Sequence, residues 1–279
     1  MKIVFLSNVR GRCGTTLHTT CMATIHAMFS KRKVIMMENH DHLVNIESCI
    51  ANENKRNIVR EKGIYNTIGL EKLMEMFETA IPGTEENIIK KCAICYANNR
   101  LYYLPHNCLN NSDILNYQFS KNIERLLQCL ERYYGTVYID AFSNDVINAH
   151  VMLESADIIV VNLNQNNSVL KHYFRNFSAY KDKSVYLLGN YYQSEENSII
   201  DIRRRFQIQE NKIFAIPYCR EAAEAESQGN IVNYIVTNYL SPSINSREFI
   251  NALHEAYNGI INYYSSSTGF ASMRGLSLM

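Results

Sequence analysis

The chain consists of short, almost wholly apolar runs that end at polar residues and alternate with stretches of helical periodicity. The runs are Lys2–Leu6 (KIVFL), Lys33–Met37 (KVIMM), Arg100–Leu104 (RLYYL), Thr136–Asp140 (TVYID), Asp157–Leu163 (DIIVVNL), Ser184–Leu188 (SVYLL) and Lys212–Ile216 (KIFAI). Runs of this length read as strands rather than helices. Strands that are apolar at nearly every position are buried on both faces, which implies a parallel sheet covered by helices on either side. Ligands of such sheets bind outside the carboxyl ends of the strands. The polar tips at Ser7 and Asn8, Glu38 to Asp41, Asp140, Asn190, and Pro217 with Tyr218 are therefore expected along one edge.

The intervening helices follow from spacing. After the first strand, Leu17, Cys21, Ile25, Met28 and Phe29 share one face, and Leu70, Leu73, Met74 and Phe77 share another within 70–79. Further helices are expected over 85–91, 112–132, 146–154, 169–177 and 198–206, and two more over 222–239 and 246–264. Residues 43–62 are polar and suggest no element, and the Ser/Gly-rich stretch 265–279 reads as a frayed tail. With 279 residues, 47% of them hydrophobic, and no Pro/Gly/Ser-rich linker, the chain is expected to form one domain over 1–264. The expected class is α/β, a three-layer αβα sandwich with a mostly parallel central sheet.

Composition narrows the function less than it narrows the fold. The formal net charge is +1 with both signs interspersed, so no field marks the chain for nucleic acid or a membrane surface. No apolar run approaches the roughly 20 residues that span a bilayer. Eight cysteines scattered through apolar segments, and a start that runs directly into a strand, suggest reduced thiols in a cytoplasmic protein. Cys92 and Cys95 form a lone CxxC; without a second pair or a histidine cluster it reads more readily as structural than as a metal or redox site.

The chemistry concentrates at the end of the first strand. A turn holding Gly11 and Gly14 opens into the first helix, with Thr15 or Thr16 available to cap it. Backbone N–H groups of such a turn converge where the helix dipole favours negative charge, and a phosphate is the natural occupant. The spacing is that of a P-loop, with Val9 at the first glycine of the general motif and Thr15 at the position of the phosphate-binding lysine. TVYID (136–140) has the form of a Walker B strand, whose carboxylate holds magnesium directly or through water.

Taken together, RGRCGTT (10–16), MMENH (36–40), YIDAF (138–142), LLGN (187–190) and IPYCREAAEAESQG (216–229) resemble, in order, the motifs of the ParA/MinD family of deviant-Walker P-loop ATPases. The resemblance covers residues 1 to about 262, and its P-loop style is similar to that of the TadZ/CpaE group. It implies that Gly11, Arg12, Cys13, Gly14, Thr15, Thr16 and Leu17 surround the phosphates of ATP. It further implies that Thr16 and Asp140 hold Mg2+, that Asn190 reads the adenine, and that Pro217 and Tyr218 flank it. Arg10 matches the signature lysine that reaches across a homodimer to bind the partner's nucleotide, while Glu38 and His40 match the acidic pair of the second strand tip, whose second member positions the attacking water. Arg10, Glu38 and His40 are the implied catalytic positions.

The departures have predictable consequences. A guanidinium at Arg10 keeps the charge but not the geometry of an ammonium. Thr15 removes a cation from a transition state stabilised mainly by electrostatics, and His40 removes an acid. Hydrolysis should fall by orders of magnitude, whereas binding could survive on backbone donors. The leading expectation is an ATP-binding switch, weak in hydrolysis, that positions a pilus or secretion apparatus and is recruited by a protein partner to a pole or the inner membrane. The alternatives are a partition or mobile-element ATPase that binds DNA through Arg203, Arg204 and Arg205, and a scaffold that binds no nucleotide.

Overall fold

The computed structural model describes residues 1–9, 11–40, 44–52, 67–97, 99–106, 112–142, 146–193 and 197–267. Eight strands, Lys2–Ser7 (β1), Val34–Asn39 (β2), Ile94–Ala97 (β3), Leu101–Tyr103 (β4), Thr136–Phe142 (β5), Ile158–Leu163 (β6), Ser184–Tyr191 (β7) and Ile213–Pro217 (β8), form one sheet in the order β3-β4-β2-β5-β1-β6-β7-β8. Every pairing is parallel except β3 with β4. The α/β class and its mostly parallel sheet are as the apolar runs require.

Alternation along each strand sorts the core into two layers. Val4, Leu6, Ile35, Met37, Val137 and Ile139 point to one face, and Ile3, Phe5, Val34, Met36 and Tyr138 to the other. The first face is covered by helices Gly69–Glu78 (α3), Glu85–Cys92 (α4), Ser112–Tyr134 (α5), Val146–Ser155 (α6), Asn167–Asn176 (α7) and Ile199–Phe206 (α8). The second is covered by Thr15–Phe29 (α1), Ile46–Ile50 (α2), Arg220–Ser227 (α9), Ile231–Asn238 (α10) and Arg247–Ser267 (α11). Phe249, Ile250, Leu253, Ala256 and Ile260 of α11 are buried as the helical spacing predicts, each large side chain contributing about 2 kcal/mol of transfer free energy.

The topology places the site. From β1 the chain crosses β5 to reach β2, and from β5 it crosses β1 in the opposite direction to reach β6. Right-handed crossovers running in opposite directions put α1 and α6 on opposite faces, which leaves a crevice at the carboxyl ends of β1 and β5.

Several elements differ from the sequence expectation for local reasons. Strand β3, formed by Ile94–Ala97 around Cys95, pairs antiparallel with β4 at the sheet edge, where its mixed exposure gives no apolar run. Cys92 ends α4 in the core, and the exposed Cys95 donates to Asn99 Oδ1 at 3.3 Å. Helix α2 forms inside the stretch that suggested no element, its start fixed by reciprocal capping between Asn45 and Ser48. The helix expected over 222–239 is two, α9 and α10, divided at Gly229. There φ is +65°, and a Cβ would lie 2.2 Å from the backbone carbon of Ala51, so both conformation and space require glycine. Cys108, most of 43–62 and residues 268–279 lie outside the described residues.

Candidate functional site

The loop from Ser7 to α1 carries two backbone conformations open mainly to glycine, Gly11 at φ +70° and Gly14 at φ +69°. Gly14 itself is the cap of α1, which begins at Thr15, and no side chain caps the helix. The expected Thr15 or Thr16 cap is thus replaced by a left-handed glycine, and the first-turn N–H groups keep their capacity to bind an anion. Nothing lies within 4 Å of a Cβ placed on Gly11, so the space above the loop is open.

Beneath the loop, His18 is buried with its Nδ1 2.7 Å from Asn162 Oδ1. The Asn162 amide donates to the Val160 carbonyl at 3.3 Å, so Oδ1 accepts and His18 Nδ1 carries the proton. Burial pushes the imidazole down to about 4, and the ring is neutral at pH 7. It fills the space below two glycines: a Cβ on Gly14 would lie 3.1 Å from His18 Cε1, and one on Gly189 3.0 Å from the same atom. A Cβ on Gly189 would also lie 2.2 Å from the Cys13 carbonyl oxygen. The end of β7 therefore touches the loop backbone, and Asn190, at φ +50°, donates from Nδ2 to the Arg12 carbonyl at 3.4 Å. Sequence reasoning assigned no site role to His18, Asn162 or Gly189. The one available signal was a polar residue, His18, in a helix whose next turns are buried on all sides.

On the other flank the tips of β2 and β5 lie side by side, Glu38 in register with Asp140. Glu38 is 1% exposed; its Oε2 accepts from Ile46 N and its Oε1 from Tyr103 Oη, each at 2.8 Å. Burial pushes this carboxyl up, and its two bonds tie the start of α2 and strand β4 to β2. His40 Nε2 lies 3.1 Å from Asp140 Oδ2, with side chains only 5% and 2% exposed.

Both flanks open on one cleft of about 750 Å³. Of the residues expected to form the site, Gly11, Gly14, Thr15, Thr16, Leu17, His40, Asp140, Asn190, Pro217 and Tyr218 line it. Arg12 is exposed on the loop, and Cys13 and Glu38 are buried away from the lining. Arg10 lies outside the described residues. Tyr218 is 64% exposed at the cleft mouth, beside Pro217. The donor set fits a phosphate-bearing ligand: open space, left-handed glycines and an uncapped helix start in a cleft of ligand size. It does not fit magnesium in the way a Walker B strand implies, because the Asp140 carboxylate is already engaged by His40 and almost closed to solvent.

No family model matches the sequence, and no curated protein matches it. Solved structures do match. A ParA family ATPase from Chlorobium tepidum TLS is similar with a TM-score of 0.66 at 12% identity, covering 91% of this chain and 98% of the other. The septum site-determining protein MinD of Pyrococcus horikoshii OT3, complexed with Mg-ADP, gives 0.65 at 14% identity over 91% and 94%. The MinC:MinD cell division protein complex of Aquifex aeolicus gives 0.64 at 13% identity over 94% and 96%. The chain has the fold of the ParA/MinD P-loop ATPases.

Proposed function

We propose that the chain, acting as one domain over residues 1–264, is an adenine-nucleotide switch that binds ATP and hydrolyses it poorly. The observation that carries this reading is the convergence of Gly11, Gly14, Thr15 and Thr16 with Asn190, Pro217 and Tyr218 on one cleft, although these residues lie far apart in the chain. The loop offers backbone donors to the phosphates, Thr16 a hydroxyl beside them, and Asn190 with Pro217 and Tyr218 an edge and a face for the base. Thr15 and His40, standing where a lysine and an acid serve hydrolysis in the family that the sequence resembles, favour occupancy over turnover as the signal. Isothermal titration with ATP and magnesium tests the reading: saturable heat is expected, and no binding at millimolar nucleotide by the folded protein would overturn it.

The role assigned to the switch is to position a larger assembly, as a homodimer acting through a protein partner, with a TadZ/CpaE-like pilus or secretion function as the specific form. DNA binding receives less support. Arg203 pairs with Glu210 at 2.9 Å and Arg205 bonds Asn167 Oδ1, and all three arginines fall in the last turn of α8, where the helix dipole favours positive charge. Recruitment to a pole or the inner membrane by a partner belongs to the same proposal; among the described residues no helix is long and apolar enough to cross a membrane.

A further inference from the structure

The β2 tip is rebuilt in a way that bears on which ligand the cleft takes. We infer that His40 occupies the place of a divalent cation at Asp140, so that the cleft binds its nucleotide without needing magnesium. The inference rests on the nucleotide reading above and deepens it.

Three observations on the adjoining tips of β2 and β5 carry it. His40 Nε2 is 3.1 Å from Asp140 Oδ2, and an N–H at that position donates to the carboxylate where a metal ion would otherwise face it. The two side chains are 5% and 2% exposed, so the pair is a closed contact and not a surface encounter. Breaking a buried pair of this kind by removing one partner leaves the other poorly compensated, which sets a penalty on any cation that displaces His40. The position of His40 is itself held from below. Glu38, two residues earlier on the same strand end, is fixed by Ile46 N and Tyr103 Oη, each at 2.8 Å, and β2 is in register with β5 up to Asn39 and Ala141.

The other side of the cleft explains how nucleotide binding persists. The phosphate-facing loop uses backbone N–H groups and the start of α1, none of which depends on Asp140. Magnesium demands near-ideal octahedral geometry and gives up its water reluctantly. A carboxylate already bonded to an imidazole and nearly sealed from solvent is a poor ligand for it. Thr16 lines the same cleft, but a single hydroxyl does not hold the ion. In this arrangement Asp140 faces a protein partner rather than an ion, and nucleotide occupancy alone sets the state of the switch.

The test is titration calorimetry of the full chain with ATP, once in excess magnesium and once in EDTA. The expected result is saturable binding in both, with Kd values within about threefold of one another. Binding only in magnesium would overturn the inference while leaving the nucleotide reading intact, and binding in neither would overturn the nucleotide reading itself. A second arm uses His40→Ala, with its fold checked by circular dichroism. Freed from its partner, Asp140 should now take the metal, and affinity should become at least about tenfold tighter in magnesium than in EDTA. A folded His40→Ala protein whose affinity stays indifferent to magnesium would overturn the role given to His40. The wild-type arm decides by itself should the variant fail to fold.

Discussion

The two flanks of the cleft are built on opposite plans. On the β1 and β7 side, Gly11, Gly14 and Gly189 keep side chains out of the way, and the helix start has no side-chain cap. On the β2 and β5 side, Glu38 is bonded to Ile46 N and Tyr103 Oη, and His40 and Asp140 face one another at the cleft wall with side chains 5% and 2% exposed. The first flank is suited to a phosphate, whereas the second is built of side chains bonded to protein partners at the cleft wall. Holding a nucleotide and cleaving it use different sets of atoms, so one set can be lost while the other stays.

Either flank can be perturbed on its own. Glu38→Ala removes the acceptor of two buried donors on separate elements and should cost about 3 kcal/mol of stability, read as a lower midpoint in urea denaturation. Glu38→Gln, which keeps an acceptor, should cost far less. An alanine variant as stable as the parent would show that Glu38 does not anchor this flank. Gly189→Ala acts on the open flank. Its Cβ would meet the Cys13 carbonyl oxygen at 2.2 Å, so the loop must move; roughly 1–3 kcal/mol of strain is expected, and ATP affinity in calorimetry should fall with it.

Thr15→Lys sharpens the contrast in the other direction by restoring a cation to the open flank. About tenfold tighter ATP binding is expected, close to 1.4 kcal/mol, with hydrolysis still slow because the closed flank is unchanged. A large gain in turnover from this one change would contradict the division between the flanks.

A smaller effect tests the sheet behind both flanks. His26 is buried between Thr136 Oγ1 at 3.3 Å and Tyr138 Oη at 3.2 Å, and burial pushes its imidazole down to about 4 from 6.5. Between those values the unfolded chain takes up a proton that the folded chain refuses. Stability should therefore be complete above pH 6.5 and decline as the pH falls toward 4, by about 1 kcal/mol from pH 6 to 5. His26→Gln should flatten that part of the profile. The smallest effect belongs to Arg203, Arg204 and Arg205. Their replacement by alanine should leave nucleotide affinity unchanged, and salt-sensitive DNA retention by the parent, lost in the variant, would revive the DNA reading.

Much of this was legible in the sequence, and the reasons are specific. The strands could be read because burial on both sides writes an almost wholly apolar run, as in KIVFL and DIIVVNL. β3 could not, because an edge strand needs burial on neither side consistently. Nor could the break at Gly229, where the surrounding helical periodicity is continuous and only the approach of Ala51 reveals the need for glycine. Within the site, the glycine spacing of the loop, the terminal aspartate of β5 and the asparagine that follows Gly189 are local signals, and they pointed to residues that do line one cleft.

By itself, then, the sequence determined a parallel sheet covered on both faces, a phosphate-type loop after the first strand, and the strand tips from which a site could be made. Those features depend on periodicity and on residues within one turn of each other. Only the tertiary structure decided what the tips do. Whether Asp140 faces a cation or His40, whether Glu38 faces the cleft or the start of α2, and why Gly189 must be glycine depend on distances between residues 8 to more than 170 positions apart. Such distances are set by strand register and helix packing, and hydrogen-bond partnership in a buried site is decided by who arrives within 3 Å, which no local pattern records.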